Sequence, residues 1–402
     1  MRAAEFDLLL LEVTVNAQPA QTAFALRDAN DAFYIEKDVV HTWSMDEMPT
    51  DVISHHGMEF VPLTSLAGTT AEFDLATLHL SVVIPPRHMK SQFRVLREDQ
   101  SPAPVAGWGS FVDYDLSYID EAASNSEAFA FSTDASFFGP IGVLTTEQAY
   151  VDNGSDESDL QTANGLIRLD TTFVRDDPSR IRSYRLGDNT LYTGLLRPNV
   201  RFGGVQIATN FATRPNFITF PLPALSGESP MPSDLSVYVN DQLTFNDRLG
   251  SGPFELEQIP VVTGAGQIRA VTRDVLGREQ VVVGDFYASQ RTLKPGLSEY
   301  AYSAGALRED YGYKSNQYGD GMVSALHRYG LNEIFTIEGS AEASTDLQRL
   351  GGGLSWVINK LGVSTVGFSY SDEEQAGSGS SWYAGHEYQS ARIRYNFAYG
   401  GS

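Results

Sequence analysis

His55 and His56 are adjacent imidazoles, the side chains that most often hold a transition metal, and Gly57 follows them. Neighbours on a strand point to opposite faces and no third ligand stands at a metal-site spacing, so the pair reads as surface histidines. The run DNGSDESD brings Asp152, Asp156 and Asp159 together as a calcium loop would. Such a loop needs Gly at its sixth position and Glu at its twelfth, and without them an exposed hairpin turn is expected. Gly351-Gly352-Gly353 lacks the Lys-Ser/Thr of a phosphate cradle and precedes strand-like sequence, which suits close backbone approach within a sheet. No cysteine occurs in the 402 residues, which removes disulfides, thiol nucleophiles and cysteine metal centres. Scattered Ser, His and Asp define a triad only in space. The expectation is a protein that is not an enzyme, with no catalytic residue, metal or cofactor.

What could position anything is a long series of strands. The formal net charge of −23, from 51 acidic against 28 basic residues, is the opposite of a nucleic-acid footprint, so no nucleic-acid partner is expected. No run approaches the roughly 18 apolar residues of a membrane helix, so any crossing must be made by strands. The start, MRAAEFDLLLLEVTV, is a poor signal peptide because its apolar run breaks at Glu12. A mature or truncated form is expected.

Residues 105–225 and 290–402 alternate. Val112, Tyr114, Leu116 and Tyr118 interleave with Asp113, Asp115 and Ser117; Phe129 and Phe131 with Ala130 and Ser132; Ile167, Leu169 and Phe173 with Arg168, Asp170 and Thr172. The pattern resumes with Phe335, Ile337, Gly339 and Ala341 against Thr336, Glu338, Ser340 and Glu342, then with Leu354, Trp356 and Ile358, with Val366, Phe368 and Tyr370, and with Ile393, Tyr395 and Phe397. Segments of about ten residues with one apolar and one polar face fit a transmembrane β-barrel. A soluble antiparallel sheet gives the same alternation. Residues 1–89 read as a separate soluble mixed-β domain, with a strand at 8–15 and a helical turn near 37–42, ended by Pro85 and Pro86. Residues 90–104, with Pro102 and Pro104, read as a linker.

Between the alternating stretches lies something different. Residues 226–289 hold short strand-like runs at 236–240 and 268–273 separated by turn residues, the marks of a compact sandwich. Gly264 and Gly266 can take positive φ without steric cost, Pro253 fixes φ after Gly252, and Leu276-Gly277-Arg278 is expected at a hairpin tip.

The runs GPFELEQIP and VVTGAGQIRAVTRDVLGREQVV resemble the plug domain of outer-membrane ushers of the chaperone–usher pathway, which assemble pili. IRSYRLGDNTLYTGLLRPNVRFGGVQIATNF is similar to the barrel strands that lead into that plug, and TLKPGLSEYAYSAGALREDYG to the strand that resumes the barrel. LEVTVNAQ, FALRDANDAFYIEKDVV and FVPLTSLAGTTAEFDLATLHLSVVIPP resemble the usher amino-terminal periplasmic domain. The resemblance implies a mainly all-β chain: part of a transmembrane antiparallel barrel, an inserted β-sandwich plug and an amino-terminal mixed-β domain. It implies recruitment of periplasmic chaperone–subunit complexes, exchange of donor strands between pilus subunits, and export through a plug-gated pore, with outer-membrane lipid around the barrel. Phe6 and Leu9 are the docking candidates on this reading, with Leu8 and Leu10 expected in the first buried strand. The expected strand count, about six on each side of the plug, falls short of a barrel of roughly two dozen, so a truncated amino-terminal half is expected. Another outer-membrane porin or transporter would share the alternation, but a β module spliced between strands argues against it; a soluble multi-domain adhesin would explain both the sandwich and the alternation, and detergent-free solubility of residues 105–402 would favour it.

Overall fold

A computed structural model describes residues 6–97, 107–121, 126–152, 165–191 and 200–402. The chain forms two compact units, one from its amino-terminal part together with Leu222–Ala288, the other from the stretches that flank this insertion.

In the first unit, β1 (Asp7–Val15), β2 (Gln21–Arg27), β3 (Phe33–Glu36), β4 (Ile53–His55), β5 (Met58–Pro62), β6 (Thr70–Asp74) and β7 (His79–Val83) form a seven-stranded sheet. Its order is β4-β5-β3-β2-β1-β7-β6, and β1 pairs with β7 in parallel. Period-2 alternation puts Leu11, Val13 and Val15 of β1 on one face, where Ala23, Ala25, Ile35, Leu80 and Val82 join them. The short helix α1 (Lys37–Val40) and the 3₁₀ turn after it bring Val40 and Trp43 over that face. Asn16, fully buried in the β1–β2 turn at φ 47°, exchanges both amide hydrogen bonds with the backbone of Ile84, which ties the turn to the end of β7. After Pro85 and Pro86 the chain returns Met89 to the core.

Residues 92–95 then form β8 (Gln92–Val95), which corrects the linker expected over 90–104. The alternation Gln92-Phe93-Arg94-Val95 is a strand pattern, and it finds a partner edge far along the chain. Residues 98–104 of that stretch, with Pro102 and Pro104, and Asp156 and Asp159 of the expected hairpin turn lie outside the described residues.

The second unit is one antiparallel sheet. It begins with β9 (Gly109–Glu121), β10 (Ser126–Gly139), β11 (Gly142–Asp152), β12 (Gly165–Asp177), β13 (Arg182–Leu191) and β14 (Val200–Thr209). The chain then leaves for the insertion, built from β15 (Leu225–Ser229), β16 (Ser233–Val239), β17 (Gln242–Leu249), β18 (Gly252–Glu257), β19 (Gly264–Asp274) and β20 (Glu279–Ala288). It returns as β21 (Ser298–Arg308), β22 (Tyr318–Gly330), β23 (Phe335–Ser344), β24 (Leu347–Ile358), β25 (Gly362–Glu373), β26 (Gly377–Gln389) and β27 (Arg394–Gly401). The 13-stranded sheet runs from β9 to β27 in chain order, with β14 paired directly to β21 across the excursion. No ladder joins β9 to β27 among the described residues.

In the insertion, the four-stranded sheet β17-β16-β19-β20 faces a three-stranded sheet β15-β18-β8. Leu235, Val237, Ile268 and Ala270 are buried from one sheet, Phe254 and Leu256 from the other. That is the expected sandwich, with an edge strand contributed by residues that precede the wall.

Candidate functional site

The residues singled out in the sequence fall on three surfaces. On the amino-terminal sheet, Phe6 lies edge-on to Tyr34 with ring centroids 5.5 Å apart and to His55 at 6.0 Å. Beyond it, Leu8 stands opposite Leu26, and Leu10 opposite Phe24. Leu8, Leu10 and Phe24 are exposed, whereas Leu9 packs against the core. The expectation for β1 is therefore inverted by one residue: Leu9 faces inward, and Leu8 and Leu10, expected inside, form the outer face with Phe6. Alternation does not say which parity faces the core, and that is set by the sheet's partners. Tyr34 is held from below by the β2–β3 turn. There the Asp28 carboxylate accepts the amide hydrogens of Asn30 and Ala32 at 2.8 and 2.9 Å. Those bonds keep the Asp28 carboxyl below the usual range, while burial and then the Asp28 charge push the Tyr34 hydroxyl up.

His55 and His56 do not diverge on opposite strand faces. His56 lies in the β4–β5 turn at φ 50°, and its ring meets that of His55 with centroids 4.4 Å apart. Among the described residues no group of three potential metal ligands is present.

The predicted sandwich residues fall as follows. Gly252, at φ 133°, starts β18 beneath Met89, with the buried Phe254 two residues on and Pro253 between them. Gly264 has φ 114°, and Gly277 has φ 78° in the β19–β20 turn. In that turn Asp274 accepts the amide hydrogens of Leu276 and Arg278. Gly266 does not use that freedom, since its φ is not in the left-handed region; it is required because a Cβ there would come within 2.6 Å of Asn240 Oδ1 and against the Phe286 ring.

β8 holds the sandwich through polar and main-chain contacts. It runs parallel to β18, pairing Gln92 with Phe254, Phe93 with Glu255, Arg94 with Leu256 and Val95 with Glu257. The Gln92 amide donates to the Gly250 carbonyl at 3.1 Å and accepts from the Gly250 N–H at 2.9 Å. Arg94 Nε donates to Asp247 Oδ2 at 2.6 Å, and this bond leads the causes that hold the Asp247 carboxyl below its ordinary value. Gln18 reaches Ser251 Oγ at 3.2 Å. Nothing in residues 90–104 alone signalled this pairing.

On the wall, register turns the two-faced strands into continuous rows. Leu186, Val205, Ala304, Val323 and Ala343 stand side by side on adjacent strands, as do Leu354, Val366, Ala384 and Tyr399 further along. Leu186, Val205 and Val323 are each at least half exposed, at 56%, 50% and 55%. One step over, Arg185, Gln206, Ser303, Ser324, Glu342 and Arg349 make a polar row. Gln206 joins Arg185 and Ser303 at 3.1 Å each. An exposed apolar band of this extent is foreign to a water-soluble monomer and is what hydrocarbon requires of a spanning sheet. Near the β21–β22 loop, Asp188 is bonded by Arg168, by Tyr318 at 2.6 Å and by Arg308 at 3.5 Å. The Arg308 side chain is 1% exposed and also donates to the Ser315 carbonyl at 2.7 Å, pinning the loop to β13. This network joins residues more than a hundred positions apart and has no local signal. Gly351 sits in β24 with the Ser340 side-chain Oγ 2.6 Å from where a Cβ would be, whereas the nearest backbone atom, the Phe368 carbonyl oxygen, is 3.5 Å away, so a side chain rather than the backbone makes the approach.

A family model described as outer membrane usher protein matches residues 166–398. The chain is 21% identical to the outer membrane usher protein YraJ of Escherichia coli K12 over 319 residues, covering 77% of this chain and 36% of that protein. It is 25% identical to the outer membrane usher protein LpfC of Salmonella typhimurium over 333 residues, covering 81% and 38%. It therefore spans well under half the length of these relatives. Among solved structures, the P pilus tip assembly intermediate PapC-PapD-PapK-PapG of E. coli in its second conformation is similar at a TM-score of 0.53 and 17% identity. That likeness covers 94% of this chain and 49% of the matched one, and it supports the fold.

Proposed function

Since the chain belongs to the family of outer membrane usher proteins and its wall lies in the outer membrane, we propose that the whole protein exports pilus subunits through a gated pore. The amino-terminal sheet (residues 1–89) receives complexes of a periplasmic chaperone with a subunit, at the face formed by Phe6, Leu8, Leu10 and Phe24. The wall of β9–β14 and β21–β27 is part of the barrel, with its apolar rows toward lipid and its polar rows toward the lumen. The sandwich of residues 226–289 is the plug that closes the idle pore, since a wide barrel otherwise leaves an aqueous channel. Subunit joining proceeds by exchange of a chaperone strand for a subunit's donor strand, driven by main-chain pairing and better side-chain fit. The reading contains no covalent step and no cofactor.

The observation that carries it is the splice: the chain leaves the sheet after β14 to build a sandwich and the sheet resumes at β21 with β14 and β21 still paired. A porin whose occluding element precedes its barrel, or a string of soluble modules, does not account for that arrangement. Removing residues 226–289 from the full-length protein should raise entry of large antibiotics several-fold at equal surface level. Unaltered sensitivity would remove the gating role.

A further inference from the structure

We propose that β8 is a releasable clasp, a strand lent by the amino-terminal domain to the plug sandwich, which keeps the two domains as one body while it is paired and lets the plug go when it peels away. The proposal rests on the plug reading above.

The pairing has the character of a strap. It is a four-residue parallel ladder, continued by one more bond from Leu96 N–H to the Glu257 carbonyl at 3.1 Å. None of the β8 side chains is buried, and Phe93 and Val95 are 60% and 46% exposed. On the other side of the ladder, β18 buries Phe254 and Leu256 within the sandwich and is already paired to β15. Losing β8 would leave that core intact and open one edge to water, where main-chain groups find new partners at little net cost. The fixing contacts are polar and partly open to solvent: the two Gln92–Gly250 bonds, and the Arg94–Asp247 ion pair with side chains 33% and 38% exposed. Such contacts position a strand and yield readily. Beside them, Met89 lies over Gly252 and Gln18 reaches Ser251 Oγ at 3.2 Å.

The absence of cysteine lets a single pair be trapped. Phe93 and Glu255 face one another in the ladder, so Phe93→Cys with Glu255→Cys in the full-length protein in cells should oxidise to a disulfide in most molecules. Phe93→Cys with Asp241→Cys should give none. Adding Arg94→Asp should cut the 93–255 yield several-fold, and Asp247→Arg in that background should restore it. With the disulfide closed, the plug is held at the amino-terminal domain, and large-antibiotic entry should match the plug deletion and return to baseline on reduction. Failure of the disulfide to form in surface-expressed, correctly assembled protein would overturn the clasp. So would a formed disulfide with permeability that is low and unchanged by reduction while the plug deletion leaks. If the deletion itself does not leak, the gating reading fails, and the cross-link yields and their response to Arg94→Asp decide the clasp.

Discussion

Val205→Arg separates a membrane wall from a water-exposed sheet. Val205 is the sixth of the 10 residues of β14. At about 3.3 Å per residue the strand is about 33 Å long, and a tilt of about 40° reduces it to about 25 Å across the bilayer. Val205 then lies within one residue of the midplane, in the row with Leu186, Ala304 and Val323. An arginine facing lipid at that depth costs about 2–4 kcal/mol. This shifts the folding equilibrium about 30- to 700-fold. Facing water, a half-exposed valine can be replaced by arginine within about 0.5 kcal/mol. The full-length variant, refolded in phospholipid vesicles and titrated with urea, reports the difference as folded and unfolded forms separated by mobility on unheated gels. Val205→Leu and Leu75→Arg, the latter at a 70% exposed turn position of the amino-terminal sheet, should both stay near the parent. If Val205→Arg is as stable as Leu75→Arg, this face does not meet lipid and the barrel assignment fails.

Asp188→Ala should destabilise the wall by about 3–5 kcal/mol, because the buried Arg308 guanidinium keeps its charge and loses its carboxylate; a urea midpoint equal to the parent's would show that the network carries no weight. Phe254→Ala should cost the sandwich about 3–5 kcal/mol through the cavity left at a side chain 2% exposed. Limited proteolysis of the full-length protein should then cut first within residues 226–289. The Asp247 carboxyl is depressed in the folded protein, so its contribution to holding β8 is complete above the unfolded value of about 3.9 and is lost as pH falls through the lower folded value. The 93–255 cross-link, formed with an acid-tolerant thiol reagent, should be as abundant at pH 5 as at pH 7 and should fall off below about pH 4; a decline centred near pH 6 would point to a different group. Phe6→Ala should weaken chaperone–subunit binding to the amino-terminal sheet at least tenfold by calorimetry, with Leu8→Ala adding to it and Leu9→Ala acting instead through stability.

The sequence was sufficient for whatever depends on local periodicity. Alternation of apolar and polar residues marked the wall strands, Gly and Pro punctuation marked the sandwich, and the turn at Gly277 needed only its own neighbours. Runs such as residues 264–274 were specific enough to carry the family. The facing of β1 was another matter, because Leu8, Leu9, Leu10 and Leu11 are chemically alike and only the strands on either side decide that Leu9 and Leu11 turn inward. Gly266 looked like a turn residue, but it is a packing residue, since the Phe286 ring that excludes a side chain there arrives from β20. The Asp188–Arg308 pair and the Arg94–Asp247 pair join positions separated by 120 and 153 residues. Hydrogen bonds and ion pairs reach only a few ångströms, so no local pattern records them. Residues 92–95 carried a strand's alternation in plain view, yet a strand is defined by its partner, and that partner was supplied only when the chain folded β18 alongside it.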